Sequence, residues 1–126
     1  MSPTQRTLAM LKKQGMTSGI VERFIKFGKF GVRKDLFGFI DIIAIHPLCG
    51  VIGVQSCGQD YSGHIKKMLS EECVHTLALW LVTNPVLLVG WRKVKLKRGG
   101  KAMRWKPRKC WFTLDGDGKV GYIEFE

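Results

Sequence analysis

The chain is short of acid. Only 10 of its 126 residues are Asp or Glu, against 21 Lys and Arg, and the formal charge is +11. Such an excess repels itself unless a polyanion uses it, so nucleic acid leads the partner classes and an anionic membrane surface is the alternative. Paired metal-type cysteines are also missing. Cys49, Cys57, Cys73 and Cys110 form no CxxC, and His46, His64 and His75 are dispersed. That spacing gives no zinc site, and four free thiols in a reducing compartment are expected. Long apolar runs are the third absence. The greasiest stretch, VHTLALWLVTNPVLLVG, is split by Asn84 and Pro85, and the N-terminus has no signal-peptide core. Neither can cross a bilayer, so a soluble, cytoplasmic protein is expected.

What is present suits a single domain with a real core, since 45% of the residues are hydrophobic. Residues 3–14 read as a helix, capped by Ser2 or Thr4, with Pro3 in its first turn and Gly15 as its stop. GIVERFIKF reads as a strand, and GKFGVRKD as a glycine-punctuated loop carrying Lys29, Arg33 and Lys34. FGFIDIIAI is a second strand, apolar on consecutive residues as burial on both faces demands. After the turn HPLCG, VIGVQSC returns as a third strand hairpinned to the second. Ile65, Met68, Leu69, Val74, Leu77, Ala78 and Leu81 predict one long helix over residues 62–83, ended by Asn84-Pro85. VLLVGW is a fourth strand, and CWFTLDGDGKVGYIEFE a closing hairpin turned at DGDG. The fold class is α/β: a small mixed sheet flanked by helices, plus a basic C-terminal β-hairpin.

One acid stands where acid is expensive. Asp41 opens the most apolar strand, three residues after Gly38, whose backbone can bend closely. If the second and third strands pair through HPLCG, Gln55 lies beside it. A carboxylate, an amide oxygen and a free backbone carbonyl make a hard-ligand set suited to magnesium or manganese. Asp41 could equally cap a turn or pair with Arg33, and Asp35 is by default a turn acid or a partner for its basic neighbours. Gln55 could be an ordinary strand residue.

The block RKDLFGFID, followed by an apolar strand, a turn and GVQSC, resembles the PD-(D/E)XK nuclease superfamily. It is similar in particular to phage and archaeal Holliday junction resolvase-like members, including a phage-type subgroup with glutamine at the third-strand acid. The resemblance covers roughly residues 3–95, with a basic extension over about 91–126. It implies a restriction-endonuclease-like core of helix, three-stranded meander, helix and strand. It further implies a metal-dependent DNA endonuclease using Mg2+ or Mn2+ on branched or structured DNA. Asp41 matches the metal-binding aspartate, Gln55 the D/E position, and the backbone carbonyl of Ser56 completes the protein's share of the shell. The family's lysine falls at Cys57 and is absent, so Lys67 or Lys66 on the following helix would have to reach back. The usual first-helix glutamate is absent too, and Glu22 either substitutes as a ligand or pairs with Arg23 or a lysine. A homodimer and, for a phage-encoded chain, the host cytoplasm are further implications. A non-catalytic nucleic-acid-binding protein on a degenerate nuclease scaffold is the alternative, and an RNA-directed protein a third.

From Trp91 to Cys110 there are ten cations and no acid, including Arg92, Lys93, Lys95, Lys97, Arg98, Lys101 and Arg104. Alternation puts Lys93, Lys95 and Lys97 on one face of a strand, ahead of a turn at Gly99-Gly100. With Arg33, Lys34 and Lys66, these form the expected DNA-binding set. It contains no base-reading motif, so backbone and shape recognition follow. Trp91, Trp105 and Trp111 either stack on unpaired bases or pack on the core.

Overall fold

In a computed structural model covering Met1–Glu126, a six-stranded mixed sheet lies between helices on its two faces. The chain runs α1 (Pro3–Lys13), β1 (Thr17–Ile20), β2 (Arg23–Phe27), β3 (Phe30–Lys34), β4 (Ile42–His46) and β5 (Gly50–Cys57). It continues with α2 (Tyr61–Met68), α3 (Val74–Leu81), β6 (Val86–Lys95), β7 (Met103–Leu114) and β8 (Val120–Phe125). The main sheet has the order β1-β4-β5-β6-β7-β8, with β5 and β6 parallel and every other pair antiparallel. β2 and β3 form a separate two-stranded hairpin. No helix is long and apolar enough to cross a membrane, and all four cysteines are free.

Strand alternation decides the layers. Val86, Leu88, Cys110 and Phe112 point to the face covered by Tyr61, Ile65 and Met68 of α2 and Leu77 of α3. Ile42, Ala44, Ile52, Val54, Leu87, Val89 and Trp91 point to the other face, where Leu11 of α1 is fully buried. α1 is held further by a buried polar chain. Trp91 Nε1 donates to Thr7 Oγ1 at 2.9 Å, and the Thr7 and Ser56 hydroxyls are 2.8 Å apart. The N-terminus of α1 closes with the reciprocal cap between Ser2 and Gln5.

Five expectations change. FGFIDIIAI is a strand only from Ile42, because the chain turns at Phe37-Gly38, and Ile45 is exposed where burial on both faces was expected. GIVERFIKF is two strands, because the chain leaves the sheet at Val21-Glu22: both N–H groups donate to the carbonyl of Asp41, at 2.9 and 3.3 Å. The expected loop GKFGVRKD contains β3, which returns antiparallel to β2 around Gly28-Lys29. The meander β1-β4-β5 is present, with this hairpin inserted between its first two strands. The long helix is two helices broken at residues 69–73, where Ser70 Oγ bonds the carbonyl of Lys67 and competes with helix continuation. Finally, β6 ends at Lys95, so Lys97 and Arg98 lie in the turn and only Lys93 and Lys95 share a strand face.

Candidate metal centre

The register puts Asp41 and Gln55 together. Ile42 pairs with Val54, and one step further along the same two strands Asp41 stands opposite Gln55. The backbone N–H of Asp41 donates to Val54 O at 2.9 Å, fixing the pair at the end of the ladder. Gln55 Nε2 donates to Asp41 Oδ2 at 2.8 Å, and the Ser56 N–H donates to the same oxygen at 2.9 Å. Gln55 Nε2 also lies 3.5 Å from the Ser56 carbonyl. Asp41 is 3% exposed and Gln55 4%.

Two further acids converge there. Glu22 follows β1 and is held by its N–H bond to the Asp41 carbonyl. Asp35 is one step beyond the Arg23–Lys34 pair, opposite Glu22 at the root of the β2–β3 hairpin. A tight turn brings Asp35 back beside Asp41. Gly38 N–H donates to Asp35 O at 3.1 Å, Leu36 N–H to Ile40 O at 2.8 Å, and Phe37 and Gly38 adopt φ of 56° and 82°. A positive φ at Phe37 is costly for a residue other than glycine. One carboxylate oxygen from each of Glu22, Asp35 and Asp41 lies within 4.8 Å of the others.

Three of the ten acids thus crowd a partly buried point. The Asp41 carboxyl is pushed up to about 8 by burial first, then by its proton-sharing contact with Asp35, with the charges of Asp35 and Glu22 adding; the Ser56 N–H acts the other way. At neutral pH without a cation the cluster retains a proton. A hard divalent ion reverses that preference, and the donors fit one: carboxylates, the Ser56 carbonyl and, with its amide turned over, the Gln55 oxygen.

Cys57, where the resemblance would have a lysine, carries a buried thiol that is pushed up to about 12 by burial and is neutral. Lys66 and Lys67 are exposed in the last turn of α2 and make no ion pair with the cluster. The cation that does is Arg33, with Nη1 3.7 Å from Glu22 Oε1. Arg33 therefore pairs with Glu22, where the sequence had offered it Asp41. Glu22, Arg33 and Phe24 line a cleft of about 350 Å³ together with Ser2, which caps α1, and Thr4 and Gln5 of α1.

Asp35 is the site residue that sequence reasoning set aside. Its recruitment depends on the hairpin, whose signal was the Gly28-Lys29 pair between two phenylalanines.

Two cationic hairpins rise from the same end of the sheet. β1 ends at Ile20 opposite Ile42, so β2–β3, carrying Arg33 and Lys34, starts at the cluster. β6 last pairs with β5 at Gly90–Cys57 and then runs five residues further, paired only with β7. This arm carries Arg92, Lys93, Lys95 and Arg104, with Lys97, Arg98 and Lys101 in its turn. The tryptophans separate. Trp91 is buried, Trp111 stacks on Phe125 at 5.7 Å, and Trp105 is exposed beneath Arg6 and Lys93, 4.0 and 5.3 Å from its ring centre. The acid-free tail also meets an acid in space, since β8 brings Glu124 onto Arg108.

No protein-family model, no curated protein and no solved structure matches this chain.

Proposed function

We propose that the chain is a metal-dependent DNA endonuclease with a restriction-endonuclease-like core of the PD-(D/E)XK kind, hydrolysing phosphodiester bonds in branched or structured DNA. The observation that carries the reading is the convergence of Asp41, Asp35 and Glu22 on one point at the root of the β2–β3 hairpin, at the end of the sheet from which the second cationic arm also rises. A cation-rich protein gains nothing structural by gathering three mutually repelling carboxylates, and a site for a cation beside a polyanion accounts for them.

On this reading Asp41, Asp35 and Glu22 hold Mg2+ or Mn2+, with the Ser56 carbonyl and the Gln55 amide oxygen completing the protein's share. When bound, the ion supplies a Lewis acid that lowers the pKa of a water and offsets charge growing on the phosphate. The Ser56 N–H keeps Asp41 oriented, and the Thr7–Ser56 contact fixes the end of β5 beneath it. Arg33 takes the part the resemblance gives to a lysine, placing positive charge beside the scissile phosphate from across Glu22. The arm cations bind the sugar-phosphate backbone without reading bases.

A second reading, a binding module on an eroded nuclease scaffold, is favoured by one observation: Cys57 is neutral where the family has its lysine. A supercoiled-plasmid assay separates the two. The nuclease reading expects nicking that requires Mn2+ or Mg2+, reduced by Asp41→Asn at least about a thousandfold with DNA binding retained, as for the loss of a metal ligand and its activated water. Salt-sensitive binding with no nicking at any metal concentration leaves the binding module.

A further inference from the structure

The β2–β3 hairpin has exposed aromatics that the fold does not use. It lies outside the main sheet, and its register puts Ile25, Phe27, Phe30 and Val32 on one face. Phe27 and Phe30 are a cross-strand pair flanking the Gly28-Lys29 turn, 61% and 81% exposed. Phe24, on the other face, covers Gly31, where any side chain would collide with its ring. Between residues 23 and 34 there are five cations, Arg23, Lys26, Lys29, Arg33 and Lys34, and no acid. An apolar tip of this kind is costly in water unless something covers it, and the surrounding charge requires that occupant to be densely anionic.

Nucleic acid and an anionic bilayer both meet that description. The hairpin's setting favours nucleic acid. The second cationic arm rises from the same end of the sheet, and an elongated polyanion can run between the two. A duplex offers the tip an apolar interior in its stacked bases. Apolar side chains entering a base step unstack it and bend the helix, at a cost that is least where stacking is already broken.

We propose that the β2–β3 hairpin is a wedge that enters the base stack of DNA with Phe27 and Phe30 while Lys26, Lys29, Arg33 and Lys34 grip the flanking phosphates. The wedge rests on the nucleic-acid reading above and supplies its preference for structured DNA: branch points open most easily. Since the hairpin's root is Glu22 and Asp35, its seating fixes where the backbone crosses the acids.

The test uses the full chain carrying Asp41→Asn and four-way DNA junctions with 2-aminopurine at successive positions outward from the branch. At saturating protein, fluorescence should rise several-fold at one position. Adding Phe27→Ala and Phe30→Ala should abolish the rise at saturation and weaken binding about ten- to a hundredfold, the scale of losing one stacked base. Lys26→Ala with Lys29→Ala should weaken binding and flatten its salt dependence by about two counterions while keeping the rise at saturation. Salt-sensitive binding without any fluorescence change, or the same change in the double-alanine chain, overturns the wedge and leaves the nuclease reading standing. Absence of binding to junction and duplex alike removes both. Sedimentation with phosphatidylserine vesicles, or self-association, that disappears in the double-alanine chain assigns the tip to a membrane or to a second copy and overturns the wedge.

Discussion

The two cationic hairpins differ in how they are held. The β6–β7 arm continues two strands of the main sheet, and its root is locked by Trp91 donating to Thr7 and by Arg6 lying over Trp105. The β2–β3 hairpin pairs only with itself and has its phenylalanines in solvent. An isolated two-stranded hairpin is marginal in water, so this one is anchored through its root, where the Val21 and Glu22 N–H groups bond the Asp41 carbonyl. The contrast teaches a division of labour. On the proposed function, one hairpin is a rail with fixed charge, and the other is a finger whose position depends on the acid cluster.

The rail should dominate affinity. Replacing Lys93, Lys95, Lys97, Lys101 and Arg104 by alanine should lower DNA affinity about a thousandfold near 0.1 M salt and flatten the log–log salt slope by about 4–5, some 0.9 per cation. Fluorescence anisotropy across a salt series measures both. An unchanged slope would put the DNA elsewhere and dissolve the comparison.

The root of the finger should be a source of instability that a cation relieves. Asp41 titrates near 3.8 when unfolded and at about 8 when folded, so the native state holds the extra proton between those values. Stability without a cation therefore falls as pH rises through that window, by at most about 1.4 kcal/mol per pH unit. Thermal unfolding in EDTA from pH 5 to pH 8 should show this decline, Mn2+ should recover more at pH 8 than at pH 5, and Asp41→Asn should flatten the profile. A rise in stability with pH from this site would contradict the burial argument.

The finger's own charge should matter least for binding and most for turnover. Arg33→Ala should reduce nicking about ten- to a hundredfold, the scale of one electrostatic stabiliser, while Lys67→Ala changes it less than about threefold. The reverse order would return the catalytic cation to α2.

The sequence disclosed the middle of this site better than its rim. Asp41 and Gln55 were legible because one short turn, HPLCG, joins two apolar strands, and antiparallel register then dictates which residues face each other. Ser56 came with Gln55 as its neighbour. Asp35 was hidden by a glycine-rich stretch that reads as loop, since alternation over five residues per strand is weak beside the Gly and Lys signals. Glu22 was placed on a strand because β-branched and aromatic composition reports an extended backbone and says nothing about where pairing changes partner. In the helical region, Leu77 and Met68 keep one buried face through the break at residues 69–73, so periodicity survived while continuity did not. Lys97 was assigned to a strand by alternation that runs past the end of pairing at Lys95.

The central claim is that the three acids form one cation site governed by a shared proton. Isothermal titration of the chain with MnCl2 at pH 6, 7 and 8 tests it most directly. One ion per chain is predicted, with affinity rising close to tenfold per pH unit below about 8, proton release on binding, and loss of the site in Asp41→Asn. Binding that is absent, independent of pH, or unaltered by that substitution would contradict it.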